Sequence, residues 1–372
     1  MSSSITIPST QVALHLSDET PTSPRTFNLS SSTPVPRPAP GHVLVRNEAA
    51  GLNPLDAHIQ EQGYWRVTVY PAILGWEGAG VVVEVGESVK GFQVGDRVAY
   101  QGTADDTRRS FQQYSAPLAT ATLKIPKNIS FDEGATIPTA YLTVIVGLYQ
   151  AAPRGLGLVA PWAEGGKGLG AHKGRSILIM GGSSQIGLAA IQLARLGGFH
   201  PILTTASLKH EPLLTSLGAT QILDRSLSTS ELVSQIKSLT QLTPLALAYD
   251  SISTADTQLV AFDALAPSGG DLVLVLPPLL DEAKVKAEEA SGKKVTYFMV
   301  GGSIDLPADD HDFGEAFCKA AEGMLERGDI KPGNPEIVAG GLNAVWPALQ
   351  RLKAGQASAS KFVVRPSETV VA

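Results

Sequence analysis

The residues with the plainest chemical meaning are Gly181-Gly182-Ser183-Ser184-Gln185-Ile186-Gly187. They follow a short apolar run, Ser176 to Met180 (SILIM), and open an amphipathic run, Ser184 to Leu196 (SQIGLAAIQLARL). A glycine turn between a strand and a helix lets the backbone approach a pyrophosphate, and the helix N-terminus adds free N–H donors and the positive end of a dipole. Gly187 allows the helix to pack closely on the strand. Against G-x-G-x-x-G, Gly182 and Gly187 match the first and third glycines and Ser184 stands at the middle one. The glycines alone are a weak signal; the strand, turn and helix around them carry the reading of dinucleotide binding against a tight turn with no ligand.

The next strand selects the cofactor. NAD-binding folds place an Asp or Glu at the end of the second strand to hold the ribose hydroxyls. Here that strand reads PILTTAS and ends on Ala206-Ser207, with no acid. Ser207, Lys209 and His210 follow at once, and Arg225 comes after the third strand. A hydroxyl beside cations suits a 2′-phosphate, so the expected cofactor is NADPH (NADP+) rather than NADH; the competing reading is ordinary solvated charge.

Other chemistries find fewer residues. A catalytic zinc needs three protein ligands. The chain has one cysteine, Cys318, and seven histidines without HExxH or HxH spacing, so no metal is expected. There is no G-x-S-x-G elbow, since Ser183 and Ser184 belong to the phosphate turn. Cys318 lies in a helical pattern and reads as a buried thiol. What remains is hydride transfer, in which the cofactor carries the hard step and the protein orients it and excludes water. With a conjugated acceptor, negative charge builds on a carbonyl oxygen, and a hydroxyl donor there stabilises the charge and relays a proton. Tyr64 and Tyr70 flank the loop before LGWEGAG and are candidates, against simple aromatic packing at a loop edge.

The elements that must position these residues divide by pattern. From about Gln11 to Asn128, β-branched runs such as HVLVRNEAAG and GAGVVVEVG alternate with Gly/Pro/Asp turns. Ser30 to Gly41 (SSSTPVPRPAPG) is a proline-dense, extended connection. From about Ser130 to Ser303, strands alternate with helices: strands at Ser176 to Met180, Pro201 to Thr205, Gln221 to Leu223, Leu245 to Tyr249, Asp271 to Leu276 and Val295 to Val300. Helices between them start at Ser184, Leu208, Thr229 and Thr254, which argues for a doubly wound parallel sheet. Pro153 to Gly174 is long, Gly/Pro-rich and without periodicity; it reads as a lid or a disordered insertion. The tail carries helices from Gly314 and Val345 and a strand at Lys361 to Arg365.

With 372 residues, 43% of them hydrophobic, the chain holds about two domains. A net charge of −6 with no Lys/Arg run gives no support for nucleic-acid binding. No apolar run spans a bilayer, the first residues lack the pattern of a signal peptide, and the single cysteine fits a reducing, cytoplasmic setting.

The strings Leu52-Asn53-Pro54-Leu55-Asp56, LGWEGAGVVVEVG (Leu74 to Gly86), FQVGDRV (Phe92 to Val98), the GGSSQIG turn, LTSLGATQILD (Leu214 to Asp224), AYDSIS (Ala248 to Ser253) and KFVVRP (Lys361 to Pro366) occur in order. Through them the sequence resembles the medium-chain dehydrogenase/reductase superfamily over nearly its whole length. It is most similar to the zinc-free quinone oxidoreductase and fungal enoyl-reductase-like branch. The resemblance implies a GroES-like, β-rich catalytic domain from residues 1–130 and 311–372, around a Rossmann domain of residues 131–310. It places Asn53 near the nicotinamide or substrate and gives Tyr64 the acid step at its spacing after the NPLD string, with solvent as the rival proton source. It puts Ser183 and Ser184 near the phosphates and Ser207, Lys209 and Arg225 near the 2′-phosphate, although the family often has Tyr where Arg225 stands. Gln185, Ile186, Leu276 and Lys361 are counted with the cofactor site. Zinc alcohol dehydrogenases carry His where Trp76 stands and Cys near Asn53, so both departures remove metal ligands.

The expected activity is NADPH-dependent reduction of an enone, an enoyl compound or a quinone, with a small-molecule substrate. The alternatives are a trans-acting enoyl reductase of a polyketide pathway, which needs a carrier-protein partner, and a weakly catalytic NADPH-binding regulatory protein. The family dimerises through the last strand of the nucleotide sheet, here Val295 to Val300, but also has monomers, so a homodimer and a monomer both remain open.

Overall fold

The computed structural model describes residues 6–19, 24–63, 67–103, 105–304 and 311–371. It contains two compact units, one of Met1–Thr139 with Ser303–Ala372 and one of Ala140–Gly302. The sequence reading places these divisions at 130/131 and 310/311.

In chain order the first unit opens with β1 (Thr10–Leu16), β2 (Phe27–Pro34), β3 (Val43–Gly51), α1 (Pro54–Gln62), β4 (Ala72–Ile73), β5 (Glu77–Val85), β6 (Arg97–Gln101), β7 (Tyr114–Ser115), β8 (Thr122–Lys124) and α2 (Phe131–Gly134). Helix α3 (Pro138–Tyr149) leads into the second unit. There follow β9 (Ile177–Met180), α4 (Gln185–Gly197), β10 (Ile202–Ala206), α5 (Glu211–Leu217), β11 (Gln221–Asp224), α6 (Thr229–Leu239), β12 (Leu247–Asp250), α7 (Ala255–Ala264), β13 (Gly269–Leu274), α8 (Glu282–Ala290) and β14 (Lys294–Met299). The chain returns to the first unit with α9 (His311–Arg327), β15 (Pro335–Ile337), α10 (Val345–Lys353) and β16 (Lys361–Val364).

The second unit is an all-parallel sheet in the order β11-β10-β9-β12-β13-β14. Starting from β9 as first strand, that is 3-2-1-4-5-6, the doubly wound arrangement that binds dinucleotides at the carboxyl ends of its strands. Its helices start where capping side chains supply acceptors: Ser184 accepts from the Gly187 N–H, Ser228 from Glu231 and Thr254 from Thr257. β9 is buried along its whole length, as a central parallel strand covered on both faces must be.

The first unit is built mainly on antiparallel pairing, with β15 parallel to β16. One sheet runs β15-β16-β3-β5-β6-β8 with β7 on β3, and a second runs β2-β1-β4. The tail thus completes the first unit: Val363 pairs with Gly51, joining β16 to β3. Cys318 is buried on α9, where burial pushes its thiol up to about 12.

Two local expectations change. Ser30 to Pro34 belong to β2 and pair with β1, so the proline-dense connection begins only after that strand. The stretch from Pro153 to Gly174 is pinned by turns rather than free: Trp162 meets Tyr149 edge-on at 5.3 Å, His172 stacks on Phe199 at 4.8 Å, and the Gly170 and His172 N–H groups donate to Leu196 and Gly197 at the end of α4. Backbone bonds and aromatic contacts take the place of periodicity there, which is why no pattern announces the order. Helix α3 escapes a search for amphipathic stripes because its residues, PTAYLTVIVGLY, are apolar nearly all round.

Candidate active site

In the second unit the phosphate turn leaves β9 at Gly181, whose φ of +74° is left-handed. A side chain there would meet Ile252 at 2.3 Å. At Gly187 a Cβ would stand 2.3 Å from the Gly181 carbonyl oxygen, so the first turn of α4 lies directly on the loop. The loop is tied to the neighbouring strand, with Gly181 N–H donating to Thr205 Oγ1 and Gly182 N–H to the Thr205 carbonyl, both at 3.0 Å. Ser184 caps α4 and its hydroxyl lies 2.9 Å from that of Ser251. Gly181, Ser183, Ser184, Gln185 and Ile186 are half-buried, so the start of α4 remains accessible while its core side is closed. A glycine cradle that excludes any Cβ and a thirteen-residue helix opening on it fit a dinucleotide pyrophosphate.

The second strand brings the 2′-phosphate candidates together. Ala206 pairs with Asp224, and the Arg225 N–H donates to the Ala206 carbonyl at 3.0 Å, so Ser207 and Arg225 leave adjacent strand ends. Lys209 follows on a short 3-10 turn, Leu208–His210. Partial burial first, and then the charges of Lys209 and Arg225, hold His210 below the usual imidazole range. Leu276 lies beyond the end of β13 and is half exposed.

In the first unit Asn53 precedes α1, its N–H donating to Asp56 Oδ2 at 2.8 Å. Its carboxamide is 6% exposed and held from two sides: Nδ2 donates to Glu77 Oε1 at 2.9 Å and Oδ1 accepts from Lys361 Nζ at 2.7 Å. Lys361 also forms a buried ion pair with Glu77, whose second oxygen accepts from the Thr139 N–H at 3.0 Å. Lys361 is 5% exposed, so its ammonium is committed inside the first unit. Asp56 is fully buried and takes a second N–H from Gly75; desolvation wins over these bonds and raises its carboxyl to about 7. Beside it, Trp76 lies under the Arg109 guanidinium at 5.3 Å. Tyr70 is half-buried beneath Arg25, and its hydroxyl meets no partner among the described residues. Tyr64 lies outside the described residues.

Glu77, Thr139 and Gly51 escape the motif search. Glu77 carries one usable signal, an acid opening directly onto the apolar run GAGVVV of β5, because a charge buried there must be paired. Thr139 acts through its backbone, which no residue type announces.

The residues at Asn53 and Trp76 do not fit zinc. The carboxamide oxygen faces an ammonium, which repels a dication, and an indole is no metal ligand. Among the described residues no three His, Cys, Asp or Glu side chains cluster to hold a metal.

The model of the alcohol dehydrogenase GroES-like domain matches residues 39–143, and that of the zinc-binding dehydrogenases matches residues 186–307. Trans-enoyl reductase RAP2 of Pyricularia oryzae is 30% identical over 354 residues, covering 91% of this chain and 94% of that protein. The chain belongs to the medium-chain dehydrogenase/reductase superfamily. Trans-enoyl reductase resD of Aspergillus sclerotiorum is similarly related, 31% identical with 92% and 98% of the two chains covered. The fold is shared with the CurK enoyl reductase, at a TM-score of 0.71 and 21% identity over 95% of this chain and 99% of that one. A mycobacterial quinone oxidoreductase matches at 0.70 and 21% identity, over 96% and 100%. The relatives that match over nearly the whole chain are fungal trans-enoyl reductases, and the chain is an oxidoreductase of this superfamily. No helix among the described residues is long and apolar enough to cross a membrane.

Proposed function

We propose that the protein is an NADPH-dependent reductase of a carbon–carbon double bond conjugated to a carbonyl, acting in trans on an enoyl chain carried by a polyketide synthase carrier protein. The relatives named trans-enoyl reductases support this substrate class. A free enone or a quinone is the small-molecule acceptor of the same chemistry. A cytoplasmic setting suits the single buried thiol.

The observation that carries the reading is the Asn53 carboxamide. Its Nδ2 has two N–H groups; Glu77 takes one, and we assign the other to the substrate oxygen. NADPH, when bound, supplies hydride to the β-carbon, and charge then builds on the carbonyl oxygen. Asn53 is fixed in advance as the donor for that oxygen, the kind of preorganised contact that stabilises a developing oxyanion. Gly181 to Gly187 and the start of α4 hold the pyrophosphate. Ser207, Lys209 and Arg225 hold the 2′-phosphate, and the exposed Leu276 offers the cofactor an apolar contact. Proton delivery to the α-carbon falls to Tyr64 or to solvent.

The test is loss of NADPH absorbance with crotonyl thioesters, free and on a carrier protein, alongside simple enones and quinones. Faster turnover on the carrier-bound thioester supports the trans-acting reading. Tight NADPH binding with no oxidation by any acceptor overturns catalysis and leaves a cofactor-binding protein. Better affinity for NADH than for NADPH removes the roles given to Ser207, Lys209 and Arg225.

A further inference from the structure

A carboxamide has nearly the same shape when its oxygen and nitrogen exchange places. What faces it decides which end donates. Asn53 is faced by a group that can only donate, the Lys361 ammonium, and by a group that, ionised, can only accept, the Glu77 carboxylate. Only one orientation satisfies both. The exchanged one sets NH₂ against ammonium and carbonyl against carboxylate, inside a site where Asn53, Glu77 and Lys361 are nearly or wholly shut from water.

The surroundings are built for this pair. Glu77 is held by the Thr139 N–H. Gly51 supplies the room: a Cβ there would stand 3.1 Å from both Glu77 Cγ and Lys361 Cε, and 2.4 Å from the Ala135 carbonyl oxygen. β16 brings Lys361 to the site by pairing with β3, across 308 residues of sequence from Asn53.

We propose that Lys361 is a positioning residue, whose ammonium locks Asn53 as a hydrogen-bond donor and thereby makes the site selective for an acceptor oxygen, a carbonyl, over a hydroxyl donor. Glu77 neutralises the ammonium and holds the other end of the amide. The role rests on the reading of Asn53 as the donor to the substrate oxygen. It differs from a phosphate-binding role for Lys361, because the ammonium acts only through Asn53.

The test uses the full-length enzyme in two arms. In the kinetic arm, Lys361→Met lowers kcat at least tenfold while the Kd for NADPH stays within twofold, and Lys361→Arg recovers most of the loss. In an Asn53→Ala background, Lys361→Met costs no more than a further twofold. Because Lys361→Met leaves Glu77 buried without a cation, the double variant Lys361→Met/Glu77→Gln is measured beside it and shows the same loss of kcat. Undiminished kcat, full additivity with Asn53→Ala, or an NADPH Kd weakened in step with kcat/KM overturns the proposal, the last in favour of cofactor binding. The second arm needs no turnover. With Asn-selective ¹⁵N labelling, the Asn53 side chain, assigned by its loss in Asn53→Ala, gives two sharp, well-separated proton signals. Lys361→Met/Glu77→Gln moves both signals toward the positions of a freely turning asparagine side chain, still as two because rotation about the amide C–N bond is slow; unchanged signals overturn the lock. If the wild-type enzyme reduces no acceptor, the functional reading fails while the spectroscopic arm still decides the role of Lys361.

Discussion

The phosphate turn of the second unit and the Asn53 network of the first do opposite things with polarity. The turn is made of backbone: glycines removed from the way, N–H groups at a helix start, and hydroxyls that tie the loop to β10 and β12. The Asn53 network is made of side chains, a carboxamide between a buried cation and a buried anion, with its partners drawn from β5, β16 and the residues beside α1. The first tolerates changes in residue type as long as shape is kept; the second tolerates the loss of one charge less than it tolerates changes in shape, because a buried ion left unpaired is strongly destabilising.

The sharpest way to break this contrast is Gly187→Val. With the Gly181 carbonyl 2.3 Å from a Cβ, α4 must move off the loop, at a cost of about 1–3 kcal/mol for overpacking. The expected outcome is a melting temperature several degrees lower and NADPH affinity reduced by roughly 100-fold, read by thermal unfolding and titration; wild-type binding contradicts the cradle.

Asn53→Ala tests the other side. It removes a donor without touching the turn, so kcat falls by about 100-fold, the scale of losing one oxyanion donor, while the NADPH Kd holds. A fall in cofactor affinity instead would merge the two regions into one binding site.

Lys209→Ala and Arg225→Ala, measured singly, weaken NADPH by roughly tenfold each, about 1.4 kcal/mol, and leave NADH unchanged. The effect shrinks at high salt because both side chains are exposed. Equal losses for the two cofactors would assign these cations to general attraction.

A test outside activity concerns pH. Asp56 is raised to about 7 in the folded chain, above its unfolded value of about 4. Between those values the native state keeps a proton that the unfolded state has lost, so stability declines as pH rises through the window. Asp56→Asn flattens that slope in melting curves from pH 4 to 7; an unchanged slope assigns it to other groups.

Much of the second unit was legible because its information is local. SILIM, the glycine turn and the following amphipathic run stand next to one another, and each later strand and helix announces itself by period and cap, as Ser228 and Thr254 show. The 2′-phosphate candidates were found by a missing acid at Ala206-Ser207, again a reading of neighbours. The first unit yielded its motifs but not its contacts. Asn53 and Lys361 were both singled out, yet nothing in their spacing shows that one holds the other.

The sequence by itself determined the fold class, the strand–turn–helix of the phosphate site and the absence of metal-ligand types at Asn53 and Trp76, because periodicity, capping and side-chain chemistry are properties of residues and their near neighbours. Only the tertiary structure decided that the stretch from Pro153 to Gly174 is pinned and that Glu77 and Lys361 hold opposite ends of the Asn53 carboxamide. The first depends on contacts with Tyr149, Phe199 and the end of α4, the second on pairing between β3 and β16 and on burial, which converts an ordinary lysine and an ordinary glutamate into the two charges that orient an amide.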